Sequence, residues 1–181
     1  GSTWKPDEEL LAAFINQSSG VKFIIAPHEV SAANVSRIKQ SITKPVIEYS
    51  KVQESEIANF DVIIIDSIGL LSSLYRYGNI AYIGGGFGVG IHNILEAATF
   101  GLPVIFGPKY KKFKEAVDLI DEGGAFKIYC QTSMNRVLHK LTEDETHRRK
   151  AAEISKDYVA KNVGSTQLII KKVFNNRVSG N

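Results

Sequence analysis

The run Ile83-Gly84-Gly85-Gly86-Phe87-Gly88-Val89-Gly90 places five glycines between one apolar segment and the next, Ile91-His92-Asn93-Ile94-Leu95-Glu96, and few folds accommodate such a run. Glycine tolerates positive φ and lets another backbone or a ligand come close. A β-forming run, a glycine turn and a helical run make a strand–turn–helix unit, and the free N–H groups of a helix start favour an anion such as a phosphate. The pattern is not the dinucleotide fingerprint G-x-G-x-x-G, because the sixth residue is Val89 counted from Gly84 and Ile91 counted from Gly86. No G-K-[ST] follows, which excludes a Walker-type phosphate loop. A purely structural glycine turn stays open as the alternative.

The rest of the chain repeats the alternation. Pro6, Asp7, Glu8 and Glu9 ahead of Leu10, Leu11, Phe14 and Ile15 predict a proline-started, acid-capped helix to about Gln17. Strands are expected over Val21–Ala26, Val46–Tyr49, Val62–Asp66, Ile80–Ile83, Pro103–Phe106 and Ala125–Tyr129. Helices are expected over Ser31–Ile42, Leu70–Tyr77, Ile91–Phe100 and Phe113–Glu122. Val62–Ile65 carries no polar alternation, the mark of a strand covered on both faces in a parallel sheet. The fold class is therefore α/β, a doubly wound, mostly parallel, Rossmann-like sheet whose ligands sit beyond the carboxyl ends of the strands. Residues 1–181 read as a single domain, with a βα core over 1–130 and a helical extension over 131–181 carrying Met134, Val137, Leu138 and Leu141, then Leu168, Ile169, Ile170, Val173 and Phe174. Such a domain usually opens on a strand, whereas this chain starts almost at once with a helix, and it reads as cut from something longer.

Composition narrows the function. With 22 Lys+Arg against 19 Asp+Glu the net charge is +3, too mild an excess to point to nucleic acid. From Asn135 onward ten basic residues face five acidic ones, which reads as solvated helix faces, with a membrane surface or an acidic partner as the alternative. The single Cys130 permits neither an internal disulfide nor a cysteine-based zinc site and fits a reducing, cytoplasmic compartment. No stretch approaches the roughly 18 to 20 apolar residues of a membrane span, and the first residues lack the basic start and apolar core of a secretory signal.

His92, Asn93 and Glu96, read as residues of the helix after the glycine turn, fall on one side near its start. There a histidine can donate to a phosphate, and a carboxylate can accept two hydroxyls of a ribose diol. A cap-forming imidazole and a solvated helix charge are the structural alternatives for His92 and Glu96. The loops Ala26-Pro27-His28-Glu29 and Asp66-Ser67-Ile68-Gly69 follow strands directly and are expected to reach the same crevice. Lys109, Lys111, Lys112 and Lys114 would add a basic rim. No metal set is expected, because His28, His139 and His147 stand at spacings that match no ligand pattern with His92.

The run G-G-G-F-G-V-G-I-H-N-I-L-E-A-A-T-F-G-L-P-V-I-F-G-P, with K-F-K-E-A and G-G-A-F behind it, resembles the C-terminal nucleotide-sugar domain of GT-B glycosyltransferases, and more closely the bacterial 3-deoxy-D-manno-octulosonic acid (Kdo) transferases of lipopolysaccharide assembly. The similarity extends from Gly-Ser-Thr-Trp at the start to about Phe174. The resemblance implies an enzyme that transfers Kdo from CMP-Kdo to a lipid A precursor with inversion at the anomeric carbon, at the cytoplasmic face of the inner membrane, without a cofactor. It implies donor binding by the phosphate-region residues Gly86, Gly88, Val89, Gly90, His92 and Asn93, by Glu96 on ribose, and by Pro27, His28, Ser67, Ile68 and Gly69 around the cytidine, with Ser2 and Thr3 near the phosphate. The sequence departs from the family where Ala26-Pro27-His28 stands for Pro-Arg-His and Gly69-Leu70-Leu71 for Gly-Glu-Leu. The family's general base, acceptor site and membrane anchor belong to an N-terminal half, so no catalytic residue is expected in this chain, which should bind the donor without turnover. If the family's first C-terminal strand belongs just before Gly1, a central strand of the sheet is missing, and exposed pairing edges with self-association, or a rearranged strand order, are expected. A UDP-sugar transferase or epimerase domain, and a non-catalytic nucleotide-binding module, are the competing readings.

Overall fold

In the computed structural model, residues 1–162 are described. The chain runs α1 (Lys5–Gln17), β1 (Phe23–Ile25), α2 (Ala32–Ser41), β2 (Val46–Glu48), β3 (Val62–Ile64), α3 (Leu71–Leu74), β4 (Ala81–Ile83), α4 (Leu95–Thr99), β5 (Val104–Phe106), α5 (Lys114–Glu122), β6 (Ala125–Lys127), α6 (Gln131–Glu143) and α7 (Glu145–Asn162). All strand pairs are parallel, as the apolar runs require, but the sheet is in two halves of order β1-β3-β2 and β4-β5-β6. The expected helix containing Leu168 to Phe174 lies outside the described residues.

Between the half-sheets lies the start of the chain. Gly1 N donates to Tyr82 O at 2.5 Å and Gly1 O accepts from Gly84 N at 2.9 Å, so Gly1 is bonded to β4. Thr3 N donates to Ala26 O at 3.3 Å and Thr3 O accepts from His28 N at 2.8 Å, a parallel bridge to the end of β1. These first residues form a short extended link where the two halves approach. Ser2 between them sits at φ 53, the left-handed region, which turns the chain from one partner strand to the other.

Two apolar cores share the second half-sheet. Tyr82 and Ile105 point into the core formed with α1, α2 and α6, whereas Ala81, Ile83, Val104 and Phe106 point into the core with α4, α5 and Tyr158 of α7. That alternation buries β4 and β5 on both faces; on β3, where the sequence predicts the same, Val62 and Ile64 are buried and Ile63 is half-buried. On β1, Ile24 is 44% exposed while Ile25 is buried. Other boundaries shift too: the Leu70–Tyr77 helix is the single turn α3 followed by a 3₁₀ turn Tyr75–Tyr77, and the Ile91–Phe100 helix begins only at Leu95. The charged stretch after Leu141 is the helix α7, with Glu145 and Arg149 paired one turn apart.

Candidate functional site

At the carboxyl ends of β1 and β4 three rings stack. His28 lies on Trp4 with centroids 4.2 Å apart, and His92 lies on His28 at 4.8 Å, with interplanar angles of 23° and 25°. The Trp4 indole Nε1–H donates to His92 Nε2 at 3.1 Å. Burial, followed by the nearby His28, holds the His92 imidazole below its ordinary pKa. A neutral ring that accepts at Nε2 carries its proton on Nδ1, so His92 retains one N–H donor. His28 and His92 were read as scattered in sequence; the parallel sheet brings them together, although no cluster of three metal-ligating side chains occurs among the described residues.

Beneath the stack, Asp7 is buried and holds three elements together. It accepts from Trp4 N at 2.9 Å, from Gly85 N at 3.0 Å and from the Tyr82 hydroxyl at 2.7 Å. Burial and then the Asp7 charge push the Tyr82 hydroxyl pKa far up, so it stays a donor. Glu8, also buried, accepts from Thr3 Oγ1 at 3.1 Å and pairs with Arg37 of α2. Sequence reasoning read both acids only as first-turn charges suited to the helix dipole. Their coincidence with a glycine turn far along the chain carries no local signal.

The glycine turn itself differs from the expected open amide cluster. Gly84 N is taken by Gly1 O, Gly85 N by Asp7, and Gly88 N and Gly90 N both by Gly85 O at 2.9 and 3.2 Å. Gly86 is buried, not ligand-facing: a Cβ there would lie 2.6 Å from Gly107 Cα, so the loops after β4 and β5 touch backbone to backbone. Pro27 is likewise buried beneath the bridge to Thr3, and it aims His28 outward from underneath. Gly88 and Val89 remain on the surface, Val89 94% exposed, and Lys109 Nζ caps Gly88 O at 2.5 Å. Over residues 84–95 the amides of Gly86, Phe87, Val89, Asn93 and Ile94 have no protein acceptor, and of these residues Val89 and Asn93 are exposed.

His92 and Asn93 precede α4 instead of lying on it; only Glu96 is helical. The positive φ of Gly90, at 147°, and the Asn93 side chain set this later start: Asn93 Oδ1 accepts from Leu95 N at 3.0 Å. Asn93 Nδ2 donates to Glu96 Oε1 at 3.1 Å, so the pair that the sequence placed on one helix face is joined directly. Glu96 lines an open hollow of about 360 Å³ with Ser72, Ser73, Arg76, Thr99 and Phe100. The exposed Ser67-Ile68-Gly69 loop leads into α3 at the edge of that hollow, with Ile68 87% exposed and Gly69 at φ 91.

The chain as a whole has relatives among known proteins. No protein-family model matches the chain. A 3-deoxy-D-manno-octulosonic acid transferase of Aquifex aeolicus is 30% identical over 149 residues, covering 75% of this chain and 41% of that protein. Its counterpart in Chlamydophila psittaci is 28% identical over 160 residues, covering 86% of this chain and 36% of that protein. Among solved structures, the C-terminal CMP-Kdo binding domain of WaaA from Acinetobacter baumannii superposes with a TM-score of 0.68 at 25% identity, covering 84% of this chain and 85% of that domain. The chain is a homologue of the Kdo transferases. It corresponds to their C-terminal domain and spans less than half the length of the two curated relatives. The fold is that of one Rossmann-like half of a GT-B glycosyltransferase. In this chain the glycine turn is a packed joint between the loops after β4 and β5.

Proposed function

We propose that the chain binds CMP-Kdo as the donor half of an inverting glycosyltransferase that transfers Kdo to a lipid A precursor in lipopolysaccharide synthesis. The observation that carries this reading is the alignment, over 84% of the chain, with a domain described as binding CMP-Kdo. On this reading His92 Nδ1–H and the amides of Val89, Asn93 and Ile94 face the donor phosphate, around the exposed Gly88 and Val89 and the half-buried Gly90. Glu96, held by Asn93, accepts the ribose hydroxyls; bonds to a charged acceptor of this kind contribute about 1.5 to 3 kcal/mol each. His28 and the Ser67–Gly69 loop flank the cytosine, while Gly86 and Pro27 act by packing. No group in the chain serves as catalytic base. Acceptor and base belong to the rest of a full-length transferase working at the cytoplasmic face of the inner membrane; within the described residues no helix is long and apolar enough to cross a membrane.

Calorimetry with CMP and with UDP tests the assignment. CMP should bind more tightly, with residue-by-residue perturbations largest over 88–96. Tighter binding of UDP would replace the Kdo assignment with that of a UDP-sugar enzyme.

A further inference from the structure

Trp4 and His92 both stack on His28, yet Trp4 Nε1 and His92 Nε2 are 3.1 Å apart. Rings on opposite faces of His28 could not come within hydrogen-bonding reach, so Trp4 and His92 lie side by side on one face of it. The His92 backbone N donates to Gly84 O at 3.2 Å, and the Cδ2 edge of its ring lies 3.1 Å from where a Cβ on Gly85 would stand. The Cδ2–Nε2 side of the imidazole is thus packed and bonded, whereas Nδ1 has no protein partner among the described residues. Burial, then His28, oppose a second proton on His92; Asp7 of α1 favours one and the Gly1 amino group opposes it. The indole fills no core, since Trp4 is 40% exposed. The Trp4 backbone is held without it: Trp4 N donates to Asp7 at 2.9 Å and Trp4 O accepts from Glu8 N at 3.0 Å. An indole N–H only donates, so the nitrogen it faces must offer a lone pair, which leaves the imidazole proton on Nδ1. In water a neutral imidazole prefers the opposite tautomer, with its proton on Nε2.

We infer that Trp4 is a positioning residue for donor binding: its indole N–H fixes the tautomer of His92 and so keeps Nδ1–H ready for an oxygen of the donor phosphate. The inference rests on the reading of His92 as a group that faces that phosphate. Trp4 acts through His92, not by touching the donor. Without the indole N–H, neutral His92 reverts to the tautomer with its proton on Nε2 and turns a lone pair at Nδ1 toward the phosphate. It must then switch tautomer before it can bind, and apparent affinity falls by the fraction that has switched. A protonated ring carries both N–H groups, so acid restores what the missing indole took away.

The test compares the parent with Trp4→Phe, which keeps a ring beside His28 and both backbone bonds but has no side-chain N–H. The ligand is the methyl phosphodiester of CMP, because CMP itself has a second phosphate ionisation at about pH 6 that would distort the profile. Calorimetry should find the variant about fivefold weaker at about pH 8 and close to the parent at about pH 6. His28, Asp7 and Gly1 are common to both proteins, so the difference between the two curves isolates the indole N–H. An equal loss at both pH values would make Trp4 a packing residue and overturn the inference. Without ligand, nitrogen NMR shifts of His92 should report Nδ1–H in the parent and Nε2–H in Trp4→Phe; one tautomer in both would overturn it as well. In His92→Asn the side-chain amide offers an N–H near the position of Nδ1 and has no tautomer to choose. Adding Trp4→Phe there should cost nothing, and a persisting loss would count against the role of Trp4. The methyl phosphodiester of UMP separates this inference from the donor assignment, since both nucleotides carry the same phosphate. Tighter UMP binding with the same dependence on Trp4 removes the Kdo assignment and keeps the role of Trp4; tighter CMP binding indifferent to Trp4→Phe does the reverse.

Discussion

The Trp4 indole Nε1–H donates to Nε2 of His92 across 88 positions of sequence, with His28 stacked on both rings. This bond holds only while Nε2 is unprotonated, which makes Trp4 an optical reporter of the site, since it is the single tryptophan of the chain.

Acidification should break that bond and change the Trp4 emission. The His92 pKa in the folded protein lies below its ordinary value of about 6.5, so as pH falls the unfolded chain takes up this proton before the native one does. The stability that neutral His92 contributes is thus complete above about pH 6.5 and declines below it. Urea titrations across that range, with fluorescence as readout, should show this loss. In His92→Gln the emission should no longer follow the low-pH step.

Replacing Asp7 with asparagine removes a charged acceptor shared by Trp4 N, Gly85 N and the Tyr82 hydroxyl and buries an amide N–H₂ in its place. A loss of about 2 to 4 kcal/mol is expected from breaking such a buried network. Chemical denaturation measures it. A variant as stable as the parent would mean that Asp7 does not organise the glycine turn.

Glu96 is exposed, so Glu96→Ala should leave the melting temperature within a degree or two while weakening CMP about tenfold or more. Calorimetry separates the two effects. Unchanged affinity would return Glu96 to the role of a solvated helix charge and favour a non-catalytic binding module.

Gly86→Ala should be among the most damaging small substitutions. Its Cβ would sit 2.6 Å from Gly107 Cα and N, backbone atoms that cannot swing aside, and overpacking of this kind costs about 1 to 3 kcal/mol or more. Gly88→Ala meets only Gly85 O, at 3.5 Å, and should be mild. Comparing the two by thermal melting distinguishes glycines that pack from glycines that merely turn.

The strands and the parallel α/β class were legible because Val62, Ile64, Ala81, Ile83, Val104 and Phe106 form apolar runs that only a doubly covered sheet can bury. Likewise Asn93 and Glu96 could be paired from spacing alone. The late start of α4 was not legible, since Ile91 and Ile94 continue the apolar pattern although the Gly90 backbone and the Asn93 cap delay the helix. Nor was the consumption of the Gly84 and Gly85 amides, because their acceptors, Gly1 O and the Asp7 carboxylate, come from more than seventy residues upstream. Side-chain pairing within one turn can be read from a sequence; contacts made by strand order cannot.

The packing of α1 on α6 places Leu11, Phe14 and Ile15 in one core with Met134, Leu138 and Leu141, and sets the ring of Phe14 edge-on to His139 at 5.3 Å. The first helix therefore cannot complete its environment until the chain as far as α6 has left the ribosome. Contacts between such distant segments slow folding and prolong the exposure of apolar surface. Newly made chains truncated before residue 131 should thus be held by chaperones, and recovery of native protein should depend on how fast α6 follows.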